Sequence, residues 1–277
     1  MYQDSVTSIS KAAAAQVELI EKSIPAYLIH SAMAGAYLGL IVVMTFLFGG
    51  AMFQTTFEPM RGFVMAAVFG GALSLVIVAG SELFTGNNMI MTMGLLSGRV
   101  STGGVMKVWT WSWVGNFLGS ILVGAMAWQA GVLGGAAPLL EAVGGAKMTR
   151  DLVPLFMRAM LCNWLVCLAV WSNFQLDNTS AKLIMIWWCL LAFIGSGYEH
   201  SIANMTILFA ANVAAPGAEA VTWAGMGYNL AVVTLGNVAS GVLFMGMAYY
   251  YISSSYGFEW DWSMDDNVVT GTTISDD

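Results

Sequence analysis

The sequence predicts an all-α polytopic membrane protein: six spans in two inverted three-span halves, with the second and fifth spans broken. Composition is the first observation. Of 277 residues, 58% are hydrophobic and only 9% charged, whereas a soluble domain carries about 25% charged residues. The second is a series of uncharged runs, each long enough for a spanning helix of about 20 residues. They lie between Arg61 and Glu82, Lys107 and Glu141, Arg158 and Asp177, Lys182 and Glu199, and Glu219 and Glu259. A further run over 23–57 is broken only by His30. The third is a pair of glutamates, in Gly80-Ser81-Glu82 and Gly197-Tyr198-Glu199, each followed closely by small and amide side chains. An ionisable residue at membrane depth is costly and marks a function, and one such break in each half suggests paired broken helices.

The elements follow in order. An N-terminal segment, 1–24, holds an amphipathic stretch over 5–23, with Val17, Leu19 and Ile20 on a helical pattern; it should lie along the membrane surface or pack on a neighbour. No cleavable signal peptide is expected there, because a basic start and short apolar core are lacking. The transmembrane domain, 25–252, contains spans at 27–48, 62–95 through the Glu82 break, 105–128, 152–174, 183–212 through the Glu199 break, and 223–252. Connections are short, and the Gly- and Ala-rich stretch 131–147 reads as the one longer loop. An acidic tail, 253–277, ends the chain. With both termini inside, the inner side holds Lys11, Lys22, Arg99, Lys107 and Lys182, against Arg61, Lys147, Arg150 and Arg158 outside. That bias favours termini in the cytoplasm.

The halves repeat. Trp113-Val114-Gly115-Asn116 and Thr234-Leu235-Gly236-Asn237 follow the two breaks; the glutamates lie 117 positions apart and the Gly-Asn pairs 121. Three spans per half is an odd number, so the second copy enters the membrane the other way up.

Backbone freed by a helix break must find partners where water is absent. Glu82 and Glu199 therefore read first as structural clamps accepting hydrogen bonds from freed N–H groups, with Asn88, Asn116, Asn204 and Asn237 able to serve similarly. His200 directly follows a break glutamate, remote from either surface. An imidazole there either packs as a satisfied core residue or meets a substrate as donor or proton carrier. His30 reads as interfacial. Cys162, Cys167 and Cys189 fall inside spans without metal-ligand spacing, no phosphate loop, nucleophile elbow or zinc pattern occurs, and neither an enzyme nor a cofactor is indicated. The net charge of −7 argues against nucleic acid. Gly35-Ala36-Tyr37-Leu38-Gly39 and Gly115-Asn116-Phe117-Leu118-Gly119 are small-xxx-small patterns for close helix approach.

The stretches Gly80 to Gly86, Leu161 to Ala169 with Asn163-Trp164, Ile186 to Thr206 with Tyr198-Glu199-His200, and Thr234 to Gly246 resemble the formate/nitrite transporter family, and within it the nitrite-channel branch. The resemblance implies an aquaporin-like fold in a bacterial inner membrane, assembled as a homopentamer with one pore per protomer. It implies that Leu73, Leu83 and Phe84 form the cytoplasmic constriction and Phe69 and Phe193 the periplasmic one. Thr85 faces His200 between them, Lys147 draws the anion into the outer vestibule, and Asn163 meets it near the pore. No cofactor is implied.

The mechanism expected is accumulation of a small monovalent anion by positive potential, then dehydration in apolar slits. Burial raises the anion's affinity for a proton, and His200 with Thr85 donates hydrogen bonds or lends a proton so that the neutral acid crosses. Nitrite is the expected anion, with formate or hydrosulfide as alternatives on the same fold. A water or glycerol channel is disfavoured because paired Asn-Pro-Ala motifs are missing: Met205 follows Asn204 and Met89 follows Asn88. A haem-carrying anchor subunit would have only His30 and His200 as axial ligands.

Overall fold

The computed structural model describes residues 2–255, and the regular structure among them is helical. In order these are α1 (Gln3–Lys22), α2 (Ile24–Met52), α3 (Glu58–Phe69), α4 (Ala72–Val78), α5 (Phe84–Leu96), α6 (Thr102–Gln129), α7 (Ala137–Met148), α8 (Leu152–Gln175), α9 (Thr179–Gly195), α10 (Ser201–Ala214), α11 (Trp223–Ser240) and α12 (Ala248–Ser255), with a π-helical stretch at Gly241–Met247 joining the last two. The tail lies outside the described residues from position 256.

Local chemistry sets the starts of the spans. Ser23 Oγ accepts from Ala26 N at 3.3 Å, with Pro25 in the first turn of α2. Ser101, Asn178 and Thr222 cap α6, α9 and α11 in the same way. Each cap satisfies an N–H that the helix itself leaves open. Among the described residues four stretches are long and apolar enough to cross a membrane unaided, Ile24–Met52, Glu58–Val78, Leu152–Gln175 and Trp223–Ser255, and α6 passes the same test together with the bent stretch Gly134–Met148. α9 and α10 are shorter apolar helices on either side of the Glu199 break, as α3–α4 and α5 are around Glu82.

Both breaks have one geometry. Gly80 (φ +71°) and Gly197 (φ +67°) sit in the left-handed region just past α4 and α9. Ser81 N donates to Val76 O and Gly80 N to Ile77 O; Tyr198 N donates to Phe193 O and Gly197 N to Ile194 O. This is the two-bond Schellman closure, and it requires a residue without a Cβ at the left-handed position.

The repeat extends to packing. α2 lies against α6 and α8 against α11, the two most extensive helix pairs. A Cβ on Gly119 would stand 1.8 Å from Ala32 O, and one on Gly236 2.8 Å from Phe156 O. Small residues let these helices touch backbone to backbone, the usual contact where lipid removes the hydrophobic drive for association. Lipid covers the outside: Ile29, Leu122 and Leu235 each leave 59–66% of their surface uncovered by protein, which describes a multi-pass membrane protein.

One expectation changes and an open one is decided. The stretch 131–147 is not a loop. After a 3-10 turn at Gly134–Ala136, α7 runs to Met148, bent 104° from α6. Pro138 in its first turn starts it, and Gly144 and Gly145 pack against Ala211 and Ala220, so its glycines are contact points and not breakers. The N-terminal segment packs on neighbours: α1 buries Val6, Ile9, Ala13 and Ile20, chiefly against α5.

Candidate functional site

At the centre of the bundle, the backbone freed by the two breaks is held by two asparagines. Phe84 N donates to Asn116 Oδ1 at 2.9 Å, and Ser201 N to Asn237 Oδ1 at 2.9 Å. In return Asn116 Nδ2 donates to Glu82 O (2.9 Å) and Ser31 O (2.7 Å), while Asn237 Nδ2 donates to Glu199 O (3.0 Å) and Ala159 O (2.8 Å). An amide side chain offers donors and an acceptor together, so one residue closes both sides of a break.

The carboxylates do something else. Glu82 and Glu199 do not accept from freed N–H groups as expected. Glu82 Oε2 accepts from Asn87 Nδ2 at 2.9 Å and Tyr27 Oη at 3.4 Å. Glu199 Oε2 accepts from Asn204 Nδ2 and Lys147 Nζ, both at 2.7 Å. A carboxylate accepts but cannot donate, so it ties side chains to the break, whereas the carbonyls need an amide. The repeat offset of 117 pairs Asn204 with Asn87; Asn88 instead turns its Oδ1 to Asn163 Nδ2 at 3.2 Å.

α5 and α10 both begin here, at Phe84 and Ser201. Their N-terminal dipole ends thus face the same region, an arrangement that favours negative charge. The residues just before them are Leu83 and His200, equivalent in the repeat. His200 Nδ1 accepts from Ala203 N at 3.1 Å, capping α10. Nδ1 is therefore an acceptor and the ring proton belongs on Nε2, a tautomer assigned from this bonding. Nε2 then donates to Thr85 Oγ1 at 3.0 Å. Both residues are buried, and Phe193 stacks on the imidazole with centroids 5.9 Å apart.

Beside the ring is a cavity of about 10 Å³ measured at a water's centre, room for about one water molecule. Leu73, Leu83, Phe69, Phe193 and His200 line it, along with Leu38, Ala72, Val166 and Leu190. Phe69 and Phe193 meet edge to face at 5.7 Å. His200 is the sole polar side chain on this wall. Thr85 stands behind it. Phe84, also buried, does not line this cavity. Asn163 supports the frame: its Nδ2 donates to Thr85 O (3.3 Å) and Asn237 O (2.7 Å).

Phe69 also borders a space of about 240 Å³ with Arg61, Lys147 and Gly197. That opens into a vestibule of about 320 Å³ lined by Arg61, Lys147, Arg150, Arg158 and Glu199. Lys147 lies on this approach, tied to Glu199. Sequence reasoning missed Leu38, Val166 and Leu190, which are ordinary span residues without a signal, and the arginines, which it counted for orientation only. Among the described residues no cluster of His, Cys, Asp and Glu could hold a metal ion, and the three cysteines are buried and free.

A family model described as formate/nitrite transporter matches residues 3–251. The nitrite transporters NirC of Salmonella typhimurium and Escherichia coli are each 44% identical over 254 residues, covering 91% of this chain and 92% of theirs. A probable formate transporter of Methanothermobacter thermautotrophicus is 37% identical, over 89% of this chain and 96% of its own. Among solved structures, an FNT family ion channel superposes with TM-score 0.84 at 42% identity, covering 90% of this chain and 98% of that one. A pentameric formate channel with formate bound shares the fold, with TM-score 0.73 at 24% identity over 84% and 98%. These relatives are transporters and channels, not enzymes, and with nearly its whole length matched the chain belongs to the formate/nitrite transporter family.

Proposed function

We propose that the chain is a channel for a small monovalent anion, nitrite first, in which His200 meets the substrate midway across the membrane. The observation that carries this reading is the buried His200 Nε2–Thr85 Oγ1 hydrogen bond of 3.0 Å at the wall of an otherwise apolar cavity with room for about one water. A slit of that kind strips hydration and holds back a bare ion. An anion losing its water gains affinity for a proton, so the species that crosses is the neutral acid. His200 assists by sharing its Nε2–H between Thr85 and the incoming oxygen. Its Nδ1 is engaged by Ala203 N, which favours hydrogen bonding over donation of a second ring proton.

Leu73, Leu83 and Phe84 are assigned to the cytoplasmic constriction, Phe69 and Phe193 to the periplasmic one, with Asn163 and the Glu82 and Glu199 networks holding the frame. The preference for nitrite over formate or hydrosulfide is supported by the 44% identity to two nitrite transporters. We place the protein in a bacterial inner membrane with both termini cytoplasmic, from the lysine and arginine bias, and as a homopentamer, as the pentameric formate channel of the same fold suggests. The division into an N-terminal segment (1–24), a channel domain (25–252) and an acidic tail (253–277) belongs to the same proposal.

The test is uptake by proteoliposomes of nitrite, formate, hydrosulfide and nitrate between about pH 5 and 8, a range in which each weak acid's neutral fraction grows as pH falls. Nitrite is expected to move fastest, and faster at lower pH, with nitrate, the anion of a strong acid, excluded. Equal uptake of nitrate at every pH would overturn passage as the neutral acid.

A further inference from the structure

The vestibule on the Lys147 side carries four cations, and they are not equivalent. Arg61 Nε is paired with Glu58 at 2.8 Å, and Lys147 Nζ with Glu199 at 2.7 Å, the latter with side chains only 15% and 2% exposed. A lysine committed to a buried carboxylate presents little free charge to an arriving anion. Arg150 and Arg158 line the same vestibule, and neither has a carboxylate within ion-pair distance among the described residues. Asp151, next in sequence, is exposed and forms no ion pair with them. Arg158 spends one N–H on Gly197 O at 2.6 Å. Arg150 Nε is buried and has no hydrogen-bond partner. With Nε buried, the part of Arg150 that can line the vestibule is its terminal Nη fork, whose geometry suits a planar oxyanion held through two oxygens.

We propose that Arg150 and Arg158 form an anion-binding subsite in this vestibule, selective for planar monovalent oxyanions such as nitrite or formate, and that Lys147 holds the break instead of the anion. The proposal rests on reading the pore as an anion pathway. The vestibule shares Arg61, Lys147 and Gly197 with the space beside Phe69, and Phe69 in turn lines the His200 cavity. An anion held at the arginines would therefore lie on the Phe69 side of the apolar slit. Hydrosulfide offers a single sulfur and gains little from a fork.

Arg150 is the cleaner target, because the side chain of Arg158 also supports Gly197 O. In the full-length protein, the half-saturating nitrite concentration for uptake is measured for wild type, Arg150→Gln and Arg150→Lys. Line broadening of ¹⁵N-nitrite by the solubilised protein is measured in parallel. Arg150→Gln should raise half-saturation about tenfold and reduce the broadening, the scale of one lost charge-assisted contact. Arg150→Lys, which keeps the charge but not the fork, should raise it about threefold. Half-saturation for hydrosulfide should move less than for nitrite in both variants. Unchanged half-saturation and broadening in Arg150→Gln would overturn the subsite. If wild type took up no nitrite yet broadened its signal in an Arg150-dependent way, the subsite would stand and the pore reading would fall.

Discussion

At the scale of single residues, the break is held by amides and balanced by an ion pair. Asn237 bonds Ser201 N, Ala159 O and Glu199 O at once. Asn237→Ala removes three bonds and leaves Ser201 N and Glu199 O, the groups at the break, unmatched. Stability should fall by about 1–3 kcal/mol, read as a lower unfolding midpoint in detergent, and the equivalent Asn116→Ala should match it. Lys147 offers a sharper case. Lys147→Met strands a buried Glu199 carboxylate, and breaking a buried pair on one side costs about 3–5 kcal/mol. Adding Glu199→Gln to the same chain should recover most of the loss in the same unfolding assay, because the charge left unpaired is then gone. The repeated Gly-Asn pairs were legible in the sequence, but which atoms they serve was not. An asparagine's spacing says nothing about whether its oxygen or its nitrogen faces the break, and this is why the glutamates looked like the clamps.

At the scale of elements, the two breaks were the clearest signal in the chain, and their geometry explains why. A helix that stops inside a membrane needs a left-handed residue to turn its carbonyls back, and Gly197 supplies it at φ +67°. Gly197→Ala should cost about 1–2 kcal/mol in backbone strain, compounded by Arg158 Nη1, only 3.1 Å from the new Cβ. Gly62 provides the contrast. It lies inside α3 with no atom within 4 Å of a built Cβ, so Gly62→Ala should gain about 0.5–1 kcal/mol. Thermal unfolding of the two variants beside wild type checks both signs together. α7 escaped prediction because glycine at 144 and 145 reads as a breaker along the chain. In three dimensions those glycines are where α7 meets Ala211 and Ala220.

At the scale of the whole molecule, two halves of one pattern meet at a small apolar cavity, and the pattern is not exact there. Leu83 and His200 hold equivalent places before α5 and α10, one apolar and one carrying a donor; Thr85 and Ile202 are equivalent as well. The duplicated frame surrounds a cavity with room for about one water, and His200 is the polar side chain on its wall. The helical membrane fold and its two breaks could be read from the sequence, because burial of charge and hydropathy act along the chain. The apolar wall could not, because it depends on side chains brought together from α2, α3, α4, α8 and α9. The central claim is that nitrite passes this wall with help from His200. It is tested most directly by nitrite uptake in proteoliposomes carrying His200→Asn, measured beside wild type from about pH 5 to 8. The account predicts uptake about threefold to tenfold slower at every pH, the scale of one neutral hydrogen bond lost from the crossing, while the rise toward acid persists because it belongs to the substrate. Wild-type rates in His200→Asn across that range would contradict it.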